Sequence, residues 1–326
     1  MQKKNGCLQG VLLVASALAV MFLIGFMSLS APIKGQVPLY LIVLIIVSAA
    51  EVCLLVHELG HIFAGVLAGM RFLSLYVWPF RVTHFRRGWS FGLERAGQPL
   101  DGQGLAFPVD AKDVRKRYLI HYFGGPAAGL ITTIAAAGLL LHREHSQSSA
   151  VGLFLFMYAF VGLSLNIGAL LPAVRHSDGA GILRLARGGQ LGEKFGAYLA
   201  ITMQAMHGMF YDEMDESLRV KLVAPAELPP PFDRIAVHHA YYWSLASKDI
   251  EAARRQLDAM RSLADRPENA EMCPWVALEQ AYFAARHDRD PEEQKREHEG
   301  TQNARADPAA GKNHAPSLRG AGHGSR

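Results

Sequence analysis

Residues Val37 to Met70 read VPLYLIVLIIVSAAEVCLLVHELGHIFAGVLAGM. The stretch is apolar almost throughout, interrupted by Glu51, His57, Glu58 and His61. A membrane helix needs about 20 apolar residues to cross a hydrocarbon core of roughly 30 Å. As one helix this stretch would reach about 51 Å at about 1.5 Å per residue. It must therefore tilt, break or run out past one face. Counted from Pro38, His57 lies about 28 Å along it, toward the far end. Ionisable side chains at the centre of a membrane helix cost about 2.5–3.5 kcal/mol each on insertion scales. They persist mainly where they face a cavity or a partner.

Three more stretches approach membrane length: Val11–Ser30, Gly125–Leu141 and Val151–Leu171. The first follows Lys3 and Lys4 and predicts an uncleaved span. A signal peptide ending near Ser28-Leu29-Ser30 is its rival, but the apolar run is long for one. The whole chain has 326 residues, a net charge of +4 and 50% hydrophobic residues. Its mean hydropathy of +0.11 hides a split: residues 11–171 are apolar, residues 220–326 polar and charged. That excludes a plain soluble enzyme. The charge is too small and too scattered for a nucleic-acid partner. Cys7, Cys53 and Cys273 lie too far apart in sequence for a disulfide framework, and reduced thiols are expected. Lys and Arg favour cytosolic loops. Residues 71–123 carry nine of them against four Asp and Glu. Arg175, Arg184 and Arg187 follow the last stretch. Four crossings then put both termini and the long middle loop in the cytosol.

Residues 57–61 read His-Glu-Leu-Gly-His. Positions four apart share a helix face. His57 and His61 can thus turn two imidazoles to one zinc, with Glu58 beside it as general base. A catalytic zinc usually takes three protein ligands and a water. Asp178, in Ser177-Asp178-Gly179, is the candidate third. By itself an Asp-Gly pair more often marks a turn. Both length counts bring it and the histidines to a similar depth on the cytosolic side.

This set resembles the site-2 protease family of intramembrane zinc metalloproteases (peptidase family M50). The matching pieces are His57-Glu58-Leu59-Gly60-His61, then Gly124-Gly125-Pro126 opening the third span, then Pro172 with Ser177-Asp178-Gly179. The resemblance covers residues 37–187. It implies His57, His61 and Asp178 as ligands of one zinc ion per chain, and Glu58 as catalytic base. It also implies substrate-binding roles for Gly125, Pro126 and Asn166. In the family an Asn usually stands three residues before the Pro. Here that position is Ala169, and Asn166 lies one turn earlier.

The segment Phe72–Leu93 mixes Leu75, Val77, Val82, Phe85, Trp89 and Phe91 with Arg86-Arg87-Gly88, which reads as a turn between two strands. Such a hairpin either offers an edge to an unwound substrate or anchors at the interface through Trp78, Trp89 and arginines. Residues 190–221 predict an interfacial or cytosolic helix, followed by a stiff linker at Pro225 and Pro229-Pro230-Pro231. Ala240-Tyr241-Tyr242 and Ala281-Tyr282-Phe283 repeat at an offset of 41 residues, like a weak tetratricopeptide-type hairpin. That region either binds a cytosolic peptide or protein partner or is a helical cap packing on itself. The tail has too little apolar surface to fold alone.

The expected architecture is mainly α: a polytopic bundle of about four transmembrane helices, a small membrane-associated β-hairpin and a cytosolic, tetratricopeptide-like C-terminal region. Its parts are an N-terminal transmembrane helix (1–36), a metalloprotease core (37–187), an amphipathic helix with linker (188–231), a helical-hairpin domain (232–287) and a disordered tail (288–326). The expected function is zinc-dependent hydrolysis of membrane-spanning or membrane-proximal protein substrates. The alternative is an inactive membrane adaptor of the same fold, recruiting partners through its C-terminal helices. A metal carrier ranks below both, since the sequence holds no second intramembrane ligand cluster.

Overall fold

The computed structural model describes residues 38–93, 102–142, 150–172, 177–225 and 228–287. The expected first span at residues 11–30 and the tail at residues 288–326 lie outside the described residues. Those described are mainly helical, with one small sheet. Helix α1 (Leu39–Leu67), strands β1 (Met70–Val77), β2 (Phe80–Phe85), β3 (Gly88–Leu93) and β4 (Gly102–Pro108), and helices α2 (Val114–His142) and α3 (Ala150–Leu170) come first. Then follow α4 (Asp178–Ala186), α5 (Gly189–His207), α6 (Glu216–Leu222), α7 (Phe232–Ala246), α8 (Ile250–Ala264) and α9 (Cys273–His287).

Three of the described helices, α1, α2 and α3, are long and apolar enough to cross a membrane. They pack on one another around Ala49, Cys53, Ala136, Leu153 and Met157. Their outward faces are apolar too, with Leu44 58%, Ile131 67%, Ile134 69% and Leu141 84% exposed. Water would penalise so large an apolar surface, whereas lipid accepts it. Helix α1 crosses α2 at glycines. A methyl on Gly60 would overlap the Gly124 carbonyl, and a methyl on Gly124 would overlap that of Gly60. Small residues let membrane helices approach this closely.

The third expected span starts earlier than the sequence suggests. Gly124-Gly125-Pro126 does not open it: α2 begins at Val114 and runs through Pro126. Proline inside a helix deletes one backbone bond, and packing against neighbouring helices lets a membrane helix tolerate that.

The expected hairpin is also larger. Strands β2 and β3 do pair across the Arg86-Arg87 turn, with Phe80 opposite Leu93 and Phe85 opposite Gly88. They belong to a four-stranded antiparallel sheet ordered β3-β2-β1-β4. Strand β1 pairs with β4 from Met70↔Pro108 to Val77↔Gly102. As an edge strand, β4 lies along α1. A methyl on Gly102 would meet Leu54 at 2.9 Å, and one on Gly65 would meet Ala106 at 3.1 Å. The sheet therefore runs back beside α1 to the level of Leu54.

A second core joins the sheet to α2 and α4–α7, through Met70, Ala106, Val114, Leu185, Phe195, Ile201, Leu218 and Trp243. Helix α5 belongs to this core and ends at Gly208, whose φ of 95° closes its C-terminus. The chain divides into two compact units between Asp249 and Ile250. Helix α7 falls in the first, α8 and α9 in the second. In the second unit Leu257, Met260, Val276 and Phe283 are buried, and the Arg254 guanidinium lies 5.2 Å from the Phe283 ring. The 41-residue repeat does not recur in burial: Tyr241 is buried, whereas its counterpart Tyr282 is 52% exposed.

Candidate metal centre

The helical spacing of His57 and His61 brings their rings to a T-shaped contact, with centroids 4.8 Å apart. Both are buried. Their Nε2 atoms lie 3.2 Å apart. Asp178 reaches both, Oδ2 at 3.1 Å from His57 Nε2 and Oδ1 at 3.3 Å from His61 Nε2. The structure thus brings together all three residues expected as ligands.

The outer nitrogens show what this triangle suits. The Nδ1 of His57 lies 2.9 Å from Asn166 Oδ1, and that of His61 lies 2.7 Å from the His121 carbonyl. Carbonyl oxygens only accept, so each Nδ1 carries a proton, and in the neutral ring each Nε2 then presents a lone pair. Two lone pairs and a carboxylate thus converge, an arrangement that needs a cation or a shared proton. Tetrahedral zinc with bonds of 2.0–2.1 Å has ligand–ligand edges of about 3.3 Å, and the observed separations match. A ligating His that donates its other N–H to a carbonyl is the usual support of such a site. Donor chemistry and spacing both fit a zinc-sized ion.

Asp178 opens α4. Ser177 caps that helix, its Oγ accepting from the Ala180 N–H at 3.2 Å and donating to the Leu171 carbonyl at 2.7 Å. This Asp-Gly therefore starts a helix, and the cap fixes where the carboxylate points. Asp178 brings the negative charge to the set, with one carboxylate oxygen turned to each Nε2.

Glu58 is buried beside the pair, and its Oε2 accepts the Gly104 N–H of β4. A cavity of about 330 Å³ opens here. Its walls include β4 from Gly102 to Ala106, Tyr122 and His121 of α2, Ala169 of α3, and Leu199 and Met203 of α5.

The three residues expected to bind substrate stand elsewhere. None lines the cavity. Asn166 is fully buried behind His57. Gly125 seats the His61 ring, which a methyl there would overlap. Pro126 is buried inside α2. Ala169 does line the cavity. Cys53, one turn before His57, turns instead to the Tyr158 carbonyl at 3.8 Å.

Two residues of the site carried no signal in the sequence. His121 Nδ1 donates to the His61 carbonyl at 2.9 Å, reciprocating the bond from His61 to its own carbonyl. Gly104 holds Glu58. Both contacts join residues at least 46 positions apart, beyond the reach of local spacing. Comparison with family models, curated proteins and solved structures finds no match to this chain.

Proposed function

We propose that the chain is an intramembrane zinc endopeptidase of the site-2 protease type, acting on membrane-spanning or membrane-proximal proteins. One observation carries this reading. Two imidazole lone pairs and the Asp178 carboxylate converge beside Glu58, at a cavity among helices of membrane length. A zinc ion bound there supplies Lewis acidity to the scissile carbonyl and to water.

The chain's own residues do the rest. Glu58 takes a proton from the attacking water and returns it to the leaving amine, so the peptide bond breaks into carboxylate and amine. Gly104 keeps its carboxylate at the cavity. A helical substrate must unwind first, because its carbonyls are already hydrogen-bonded. Strand β4 is a sheet edge on the cavity wall, and an extended segment can pair with such an edge. Leu199 and Met203 add apolar side chains to the cavity wall.

His57 lies ten residues before Leu67, about 15 Å from that end of α1. Arg115, Lys116 and Arg117 open α2 at the same end. The positive-inside rule makes that side cytosolic, so the site opens toward the cytosol. Ala169 on the cavity wall favours the second reading, an inactive adaptor, since the family usually has Asn there.

Glu58→Gln separates the two readings. The protease loses hydrolysis of a membrane substrate while zinc content and abundance stay normal. An adaptor tolerates the change. No zinc in well-folded wild-type protein, even after loading, would sink the protease reading.

A further inference from the structure

We propose that Asn166 is the positioning residue of the metal centre: it fixes His57 as the Nδ1–H tautomer and aims its Nε2 at the metal. The inference rests on the metal-centre reading above and assigns Asn166 a role other than substrate binding.

The amide is held at both ends. Its Nδ2 donates to the Gly162 carbonyl on its own helix at 2.6 Å. That bond orients the group, because only Nδ2 can donate to a carbonyl. Oδ1 is then left facing His57 Nδ1 at 2.9 Å. Asn166 is fully buried, so water does not compete for His57. Space for the amide comes from the third helix of the bundle: a methyl on Gly129 of α2 would overlap it. Helices α1, α2 and α3 thus meet at this bond. His61 has its counterpart in the His121 carbonyl, which is fixed by the backbone. His57 alone depends on a side chain.

An amide rather than a carboxylate also suits the place. A bound dication and the carboxylates of Asp178 and Glu58 sum to zero charge. A third carboxylate would leave a net negative charge between membrane helices, where ionised groups are costly. Both histidines accordingly donate to neutral carbonyl oxygens.

Two variants of near-equal size test this in the full-length, detergent-solubilised protein. Asn166→Leu removes both bonds. Asn166→Asp keeps the acceptor for His57 and loses the donor to Gly162. Zinc affinity is measured by competition with a chelator, and ligand geometry by the visible spectrum of the cobalt(II) form. Asn166→Leu should weaken zinc binding about 10–100-fold, the usual cost of losing such a partner. Asn166→Asp should restore affinity to the wild-type level or above, with the wild-type cobalt spectrum. If Asn166 serves only to brace α3 through Gly162, Asp fails as Leu does, and the inference is overturned. It is equally overturned if Leu binds zinc as wild type does.

Nitrogen-15 NMR of the metal-free protein gives an independent readout. Wild type should hold His57 in the Nδ1–H form, and the Leu variant should show a mixture. A wild type with no zinc affinity would defeat the proposed function. The tautomer result would still decide the role of Asn166.

Discussion

Gly104, in the edge strand β4, gives its backbone N–H to the carboxylate of Glu58 in α1. The contact ties the sheet to the proposed base. It also depends on glycine, since a methyl at position 104 would overlap the Glu58 backbone carbonyl. Backbone cannot move aside as a side chain can. Gly104→Ala should therefore push β4 off α1 and cost about 1–3 kcal/mol in stability, the usual range for overpacking. The zinc ligands lie on helices, so zinc content should survive while peptide hydrolysis falls at least about tenfold, one hydrogen bond's worth of positioning. A variant that loses zinc and activity together would show instead that the sheet braces the whole centre.

Asp178 supplies the only anionic group among the three candidate ligands. Asp178→Ala leaves two neutral imidazoles facing each other, with nothing to offset the charge of a dication. Zinc should drop from one equivalent to well below it in the purified variant, as read by elemental analysis. Because zinc bound to the folded form adds RT ln(1 + [L]/Kd) to stability, the wild-type melting temperature should fall on chelation. That of Asp178→Ala should barely respond. A variant retaining stoichiometric zinc would remove Asp178 from the ligand set.

The glycine inside the His-Glu-Leu-Gly-His motif has a packing role that spacing does not reveal. Gly60 and Gly124 face each other across the α1–α2 crossing. The His61–His121 reciprocal bonds lie one residue beyond Gly60 on α1 and three before Gly124 on α2. Gly60→Ala would hold the helices apart and break both bonds. We expect lower zinc affinity from it, although residue 60 touches no ligand atom. Zinc titration of Gly60→Ala beside Leu59→Ala checks this, because Leu59 is 43% exposed and should tolerate the loss.

Some of this was legible in the sequence and some was not, for physical reasons. His57 and His61 could be paired because a helix puts residues four apart on one face. The membrane-length helices could be read because lipid demands long apolar runs. Asp178 could be named only through its depth after the last span and the order of motifs, since Asp-Gly looks like a turn and its helix begins at that very residue. Strand β4 leaves little pattern in the sequence, because Gly102 and Gly104 are small where the strand lies on Leu54 and Glu58 of α1. Gly124-Gly125-Pro126 opens the third span in the family resemblance, whereas α2 runs through its proline, which usually breaks helices in water. Asn166 enters the sequence reading through the family resemblance, one turn before the position where the family has Asn, and its neighbour His57 leaves no local trace there. His57 lies 109 positions away, on another helix.

His239 makes a prediction outside the membrane helices. It sits in α7, buried between Thr202 of α5 and Tyr211. The Thr202 hydroxyl donates to the Tyr198 carbonyl at 2.8 Å, so its oxygen accepts from His239 Nε2 at 3.0 Å. Nδ1 is then the acceptor for the Tyr211 hydroxyl at 2.8 Å. This network uses the neutral ring. Burial, aided by His238 beside it, lowers the His239 pKa from 6.5 to about 4. The unfolded chain therefore binds a proton here at a higher pH than the folded chain. The resulting stabilisation is fully present above about pH 6.5 and is lost as pH falls toward about 4, at most about 3 kcal/mol by linkage. Thermal unfolding of the detergent-solubilised protein between these limits should show a falling melting temperature. His239→Gln, which keeps a donor and an acceptor but does not titrate, should flatten that slope. An equal slope in the variant would mean that other groups govern the acid sensitivity of this unit.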